Sequence, residues 1–516
     1  MKRPARGTSF LPGLERLVRE RVEALDRHRV VERIWQKDVT VWRADPTEIA
    51  DRLGWLSVHH AMREQVAILR DFAGRCVQDG LVAAVLAGMG GSSLAPDVLR
   101  GALGVHPGGL ELAVLDTTHP DQILALERTL DLDRTLFIVA SKSGTTVETL
   151  AHLAYFWSKV PDGSRFVAIT DPGTPLESLA ADRGFRQTFR NPADIGGRYS
   201  AMSYVGLVPA ALLGADLDGL LDHAAAMAGA CAAPVRSIEN PGAWLGAVVG
   251  EAARAGRDKL TFVLDDPLVS FGPWVEQLLA ESTGKDGRGI VPVDGEDVGP
   301  PDVYGDDRFF VGIGGDPARR SLEPLEHGGH PAVMLPVDGP PELGGEFFRW
   351  EFATAVAGAV LGIHPFDQPN VQEAKDATKR LLERGVEEPP YGDFRALLKT
   401  VRPGDYLAIQ AYLPRSAANE AMLQGIRSRL RDRLRVATTV GFGPRFLHST
   451  GQLHKGGPGT GVFVQVVEPP AKDVAVPGER YSFGDLIAAQ AAGDLAALRS
   501  RGRRVSRVRP ADLEAI

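Results

Sequence analysis

Cysteine is nearly missing from this chain: its 516 residues include two, Cys76 and Cys231. Two thiols build neither a disulfide framework nor a four-cysteine zinc site, and a reduced cytoplasm fits. Excess positive charge is missing too. The formal net charge is -8 and the pI ≈ 5.9, whereas a nucleic-acid partner asks for a basic face. An anionic ligand must therefore be held by local donors and not by the overall field. No stretch approaches the roughly 18 uninterrupted apolar residues of a membrane span. The basic start Met1-Lys2-Arg3-Pro4-Ala5-Arg6-Gly7 is not followed by the apolar core of a signal peptide. The expectation is a cytoplasmic protein with neither membrane nor nucleic acid as partner.

What is present is ordinary for a globular protein: 44% hydrophobic and 24% charged residues. The length implies about three domains. Residues 13 to 75 carry apolar residues at helical spacing (Leu14, Leu17, Val18, Val22, Leu25) and read as an N-terminal helical segment, 1–75, with Trp35, Trp42 and Trp55 as packing anchors. Four short apolar runs then follow, Leu81 to Ala87, Leu112 to Leu115, Thr135 to Ala140 and Arg165 to Ile169, separated by helical stretches. They read as a parallel sheet with crossover helices over 76–230. Lys259 to Leu264, Arg308 to Ile313 and Ala332 to Leu335 repeat the pattern over 231–385, which implies a cleft between two similar units. Beyond Glu387-Glu388-Pro389-Pro390, strands at Asp405 to Gln410 and Val462 to Val467 flank a basic helix from Ala417 to Leu434, whose arginines suggest a solvated face. This last part, 386–516, is expected to be an α+β extension.

The chemistry centres on Ser141-Lys142-Ser143-Gly144-Thr145-Thr146, at the point where a buried strand hands over to a helix. Free amides at a helix N-terminus and short hydroxyl side chains give a phosphate monoester a dense set of donors. A helix cap is the plain alternative, but four hydroxyls in six positions exceed what a cap needs. Gly88-Met89-Gly90-Gly91-Ser92-Ser93 departs from the dinucleotide fingerprint, having Ser93 in the third glycine place, and suits close backbone approach to a small sugar phosphate. Gly196-Gly197-Arg198-Tyr199-Ser200 frees a guanidinium to reach into a cleft and meet a developing oxyanion; a surface arginine on a turn is the other reading. Glu281 closes a helix that ends at Gly284, an unfavourable place for an acid in the helix dipole and so a mild sign of another purpose. Gln368 precedes a helix and Lys375 lies nearly two turns into it, so both can address one cleft mouth.

In this order the motifs closely resemble glucose-6-phosphate isomerases, whose two halves are sugar isomerase (SIS) domains. The resemblance runs from about residue 30 to 385. It is strongest to the isomerase half of bacterial transaldolase/glucose-6-phosphate isomerase fusions, because it extends to Gly441 to Lys455; the chain would be a free-standing version. It implies an α/β fold of two SIS-type parallel-sheet sandwiches, and a hexose 6-phosphate substrate held by Ser141, Ser143, Thr145 and Thr146 with Ser92 and Lys142 nearby. Glu281 matches the base that moves a proton between C2 and C1 through a cis-enediolate. Arg198 matches the arginine that steadies this species, and Gln368 and Lys375 the pair beside the sugar ring. No metal or redox cofactor is implied, since no electrons leave the substrate, and a homodimer is.

The resemblance also implies a ring-opening histidine some twenty to thirty residues after the base, but Ile290 to Tyr304 holds none. His448 and His454 are preferred over His327, His330 and His364 because they share one polar, glycine-flanked loop. Two further readings are a non-catalytic SIS sugar-phosphate sensor and a dual phosphoglucose/phosphomannose isomerase with a widened cleft.

Overall fold

The computed structural model describes residues 4–385 and 389–513, apart from the side chains of residues 371–377 and 384. Three β-sheets organise the chain. The first holds β2 (Ala83–Gly88), β3 (Glu111–Leu115), β4 (Thr135–Ala140), β5 (Phe166–Thr170) and β6 (Gln187–Arg190) in the order β3-β2-β4-β5-β6, parallel throughout. The apolar runs become strands because alternate residues bury opposite faces. Ala84, Leu86, Leu136 and Ile138 enter one core, while Val85, Phe137 and Val139 enter a second, beneath Ala151 and Tyr155 of the helix Val147–Lys159. Phe137 stacks between Phe156 and Phe166 at 4.7 and 5.0 Å, so truncating it to alanine costs about 3–5 kcal/mol.

The second sheet has β7 (Lys259–Leu264), β8 (Val291–Val293), β9 (Arg308–Gly314) and β10 (Ala332–Pro336) in parallel. Its far edge is closed by β1 (Thr8–Phe10), antiparallel to β10. The N-terminal segment is helical as expected, but it is not a separate body. The helix Glu15–Arg27 buries Val18, Val22 and Leu25, and one apolar core runs from Leu11 to Phe366. Trp42 and Trp55 are buried in it, and the Trp42 indole donates to the Ala355 carbonyl at 2.8 Å.

The C-terminal residues form a third sheet of β11 (Tyr406–Tyr412), β12 (Ala437–Phe442), β13 (Gly461–Val467) and β14 (Arg504–Val508), ordered β12-β11-β13-β14. All its pairings are parallel. Strands and helices therefore alternate here, where an α+β arrangement would separate them; parallel neighbours need crossovers, and the helices Ala417–Leu434 and Phe483–Ser500 supply them. The Ala417–Leu434 helix corrects its basic composition. Arg427 and Arg431 are buried, donating to the Asp294 carbonyl at 2.8 Å and the Asp297 carbonyl. No described helix is long and apolar enough to cross a membrane.

Candidate active site

In an open parallel sheet, ligands bind at the carboxyl ends of the strands where the chain reverses its direction of travel. In the first sheet that point lies between β2 and β4. The loops that leave these two strands carry Gly88 to Ser93 and Ser141 to Thr146.

Ser141 is buried. Its hydroxyl pairs with that of Thr146 at 2.8 Å and accepts from the Gly144 amide at 3.1 Å. Ser143 and Thr145 line the same loop, their hydroxyls 2.9 Å apart. Gly144 has φ +67, and a Cβ there would come 2.8 Å from Thr174 Cβ, so the loop closes only over glycine. The Val147–Lys159 helix starts directly behind it. Lys142 turns aside to Asp171, and to the Ala193 carbonyl at 3.0 Å. Ser92 is half-buried.

Gly90 and Gly91 let protein approach closely. A Cβ on Gly90 would lie 2.6 Å from the His448 carbonyl oxygen and 2.9 Å from Gln277 Nε2, and one on Gly91 would lie 2.1 Å from the Gly197 carbonyl oxygen. The Arg198 turn, the His448 loop and the helix of Glu281 converge on this one spot.

Arg198 is 3% exposed, so the surface-turn reading is excluded. Nε donates to Ser282 Oγ at 2.8 Å and Nη1 to Gln368 Oε1 at 2.8 Å, while Nη2 donates to the carbonyls of Pro365 at 2.7 Å and Asp367 at 3.0 Å. Nη1 also stands 3.5 Å from Glu281 Oε2. Glu281 lies in the last turn of the helix Gly272–Thr283 and is 8% exposed. Glu281, Arg198 and Gln368, singled out in the sequence, thus form one cluster. Lys375 falls on the helix Pro369–Arg384, with its side chain outside the described residues.

The two preferred histidines part ways. His448 Nε2 is 2.8 Å from Glu148 Oε1, on the helix behind the hydroxyl loop, and the His448 carbonyl accepts from Gln277 Nε2 at 2.7 Å. Gln277 Nε2 also donates to Glu281 Oε2 at 3.1 Å, so one amide ties the histidine loop to the glutamate. His454 is buried among Tyr406, Phe446 and Phe463, with Nδ1 3.2 Å from Gln410 Nε2. Burial first, then the charges of Lys455 and Arg503, push it well below the usual imidazole range. His454 is a neutral core histidine. His330 and His364 address the carbonyls of Pro301 and Thr47.

Some groups at the site escaped notice in the sequence. Gln277 had a signal: it sits four residues before Glu281, on the same helix face. Glu148 lies two residues beyond the hydroxyl motif and is not itself a hydroxyl, and Gln490, which donates to it at 2.7 Å, comes from more than 340 residues away. Lys285 donates at 2.6 Å both to Asp367 Oδ1 and to the His364 carbonyl. Burial first, then the Arg198 charge, bring it down to about 7; Asp367 opposes this.

The helix behind the hydroxyl nest is tied through Glu148, His448 and Gln277 to a carboxylate held against a buried guanidinium. With the parallel sheets behind them, they define an enzyme of the sugar-isomerase (SIS) class. A profile described as phosphoglucose isomerase matches residues 50–297. The chain is 31% identical over 388 residues to the glucose-6-phosphate isomerase of Rubrobacter xylanophilus, covering 62% of this chain and 87% of that protein. It is 31% identical over 432 residues to a glucose-6-phosphate isomerase of Thermus thermophilus, covering 73% and 98%. The chain belongs to the phosphoglucose isomerase family. Among solved structures, a hypothetical protein from Thermus thermophilus superposes with a TM-score of 0.60 at 27% identity, covering 72% of this chain and 98% of the other. A glucose-6-phosphate isomerase from Chlamydia trachomatis does so with 0.58 at 20%, covering 70% and 85%, a likeness of fold. The family profile takes in Ser92, the hydroxyl loop, Arg198 and Glu281, and stops before Gln368, Lys375 and His448.

Proposed function

We infer that the chain interconverts D-glucose 6-phosphate and D-fructose 6-phosphate by proton transfer through a cis-enediolate. The phosphate sits on the hydroxyls of Ser141, Ser143, Thr145 and Thr146 and the first-turn amides behind them, with Ser92 and Lys142 at the margin. Anchoring one end of the hexose places C1 and C2 against Glu281. The carboxylate takes the proton from C2 of the open-chain aldose and returns it to C1; the ketose runs in reverse. A carbon acid beside a carbonyl is too weak to ionise quickly unless the charge arising on oxygen meets a fixed cation away from water. Arg198, buried and held by four hydrogen bonds, is that cation, and it moves little when the charge appears.

The observation that carries this reading is the 3.5 Å approach of Arg198 Nη1 to Glu281 Oε2, with Gln368 on the same nitrogen. His448 is assigned to ring opening, relayed to Glu148, and Lys375 to the ring beside Gln368. A coupled assay tests the function: turnover of both hexose phosphates is expected, and absence of turnover with either overturns it. Glu281→Gln should lower kcat by at least about 100-fold while fructose 6-phosphate still binds. The chain acts as a pair of subunits in this reading, and light scattering at assay concentration decides whether activity needs the pair.

A further inference from the structure

The third sheet repeats the geometry that places ligands in the first. Its order β12-β11-β13-β14 puts the reversal of travel between β11 and β13, and at the carboxyl ends of these strands lies a cavity of ≈ 220 Å³. Tyr412 at the end of β11, Arg507 on β14, and Gly484 and Asp485 at the start of the 18-residue helix Phe483–Ser500 line it. Arg507 is 2% exposed, yet its Nε and Nη1 have no hydrogen-bond partner among the described residues. Other deeply buried arginines also leave nitrogens unpaired, Arg349 the same two, but each of them has an acceptor: Arg308 the carboxylate of Glu296, Arg349 that of Glu346, and Arg427 backbone carbonyls. Arg507 has an aromatic neighbour, Tyr391, at 5.6 Å. A buried guanidinium without an acceptor is costly, and a ligand that brings one removes the cost.

The rim limits what that ligand is. Glu468, Asp473 and Asp485 line the same cavity and are exposed. Asp473 accepts from the Gly484 amide at 2.8 Å and the Ser482 hydroxyl at 2.6 Å, and Asp485 accepts from Ser482, so local donors already occupy two of the acids. Three carboxylates repel a phosphate carrying nearly two negative charges, whereas one guanidinium matches a single carboxylate in a two-pronged contact. The cavity is smaller than the ~300–1,000 Å³ typical of large organic ligands. We propose that the third sheet carries a second binding site, anchored by Arg507, for a small hydroxylated carboxylic acid whose hydroxyls face the acidic rim.

Calorimetric titration of the full chain with glycerate, gluconate and, as the contrasting anion, inorganic phosphate tests this. Arg507→Gln removes the anchor. Ala488→Phe fills the cavity from its wall and leaves the arginine in place; neither residue belongs to the isomerase site. Saturable binding of glycerate or gluconate that weakens by at least roughly tenfold in both variants, with isomerase turnover unchanged, supports the site. If Arg507→Gln does not fold, Ala488→Phe decides alone. No saturable binding of either acid, or binding that survives the variants, overturns the proposal. So does a site that takes phosphate and neither acid.

Discussion

At the scale of single residues, the site rests on groups whose partners leave them little freedom. Arg198 fills its fork with Ser282, Gln368 and the carbonyls of Pro365 and Asp367, and a lysine in its place keeps the charge but can meet few of them. Arg198→Lys is expected to lower kcat/KM by about 100-fold, with a smaller change in KM than in kcat, because the lost contact matters most once charge has moved onto oxygen. Steady-state kinetics in both directions checks this. The two histidines give a sharper contrast. His448→Asn should lower turnover of the cyclic substrates by about 100-fold and leave phosphate binding intact. His454→Gln should leave kcat within about twofold and lower the thermal midpoint, since an apolar, aromatic surround must then take a more strongly polar group. If the two variants behave alike in kcat, the assignment of His448 fails.

At the scale of elements, the third sheet is fastened to the other two by buried polar contacts, and one acid is central to them. Glu296 accepts two hydrogen bonds from Arg308 of β9, at 2.6 and 2.9 Å, and one from Thr438 of β12 at 3.1 Å. Arg431 stands 3.9 Å away. The Glu296 carboxylate is fully enclosed. Removing one partner of such a network leaves the others charged and unmatched, so Glu296→Ala should destabilise the chain by about 3–5 kcal/mol, measured by urea unfolding. Because the third sheet carries the loop of His448, turnover should fall well below the unfolding temperature. Much of this scale is legible in the sequence. The strands before Gly88, Ser141 and Asp171 show as apolar runs because parallel strands are buried on both faces, and their polar ends place the hydroxyl loop. Thr8–Phe10 is not legible as an edge strand: three exposed residues carry no buried pattern, and their partner lies more than 320 residues on. Nor does composition reveal the burial of Arg427 and Arg431. An arginine reads as solvated until the carbonyls it will meet, here from the loop after β8, are known.

At the scale of the whole molecule, stability should depend on pH through buried histidines to which the proposed reaction gives no role. His59 is 3% exposed and His152 fully buried, and burial lowers each to about 4. His60 and Arg63 add to the effect at His59, while the Thr117 carbonyl and Glu148 partly oppose it at His152. Both are neutral in the folded chain at pH values where the unfolded chain already holds a proton, with an ordinary midpoint near 6.5. Between about pH 6.5 and 4 the unfolded state therefore binds more protons, and stability falls as pH falls, by up to about 3 kcal/mol per histidine. Glu351 has the opposite sign. It is buried and raised well above the usual carboxyl range by desolvation, so the folded chain keeps a proton that the unfolded chain releases, and stability falls as pH rises above about 4.5. The slope of stability against pH separates these groups even where a substitution also disturbs packing. His59→Asn should flatten the decline below pH 6.5, and Glu351→Gln should flatten the decline on the alkaline side. Urea unfolding at closely spaced pH values reads both slopes, and an acid limb as steep in His59→Asn as in the parent chain would mean that His59 is charged in the fold.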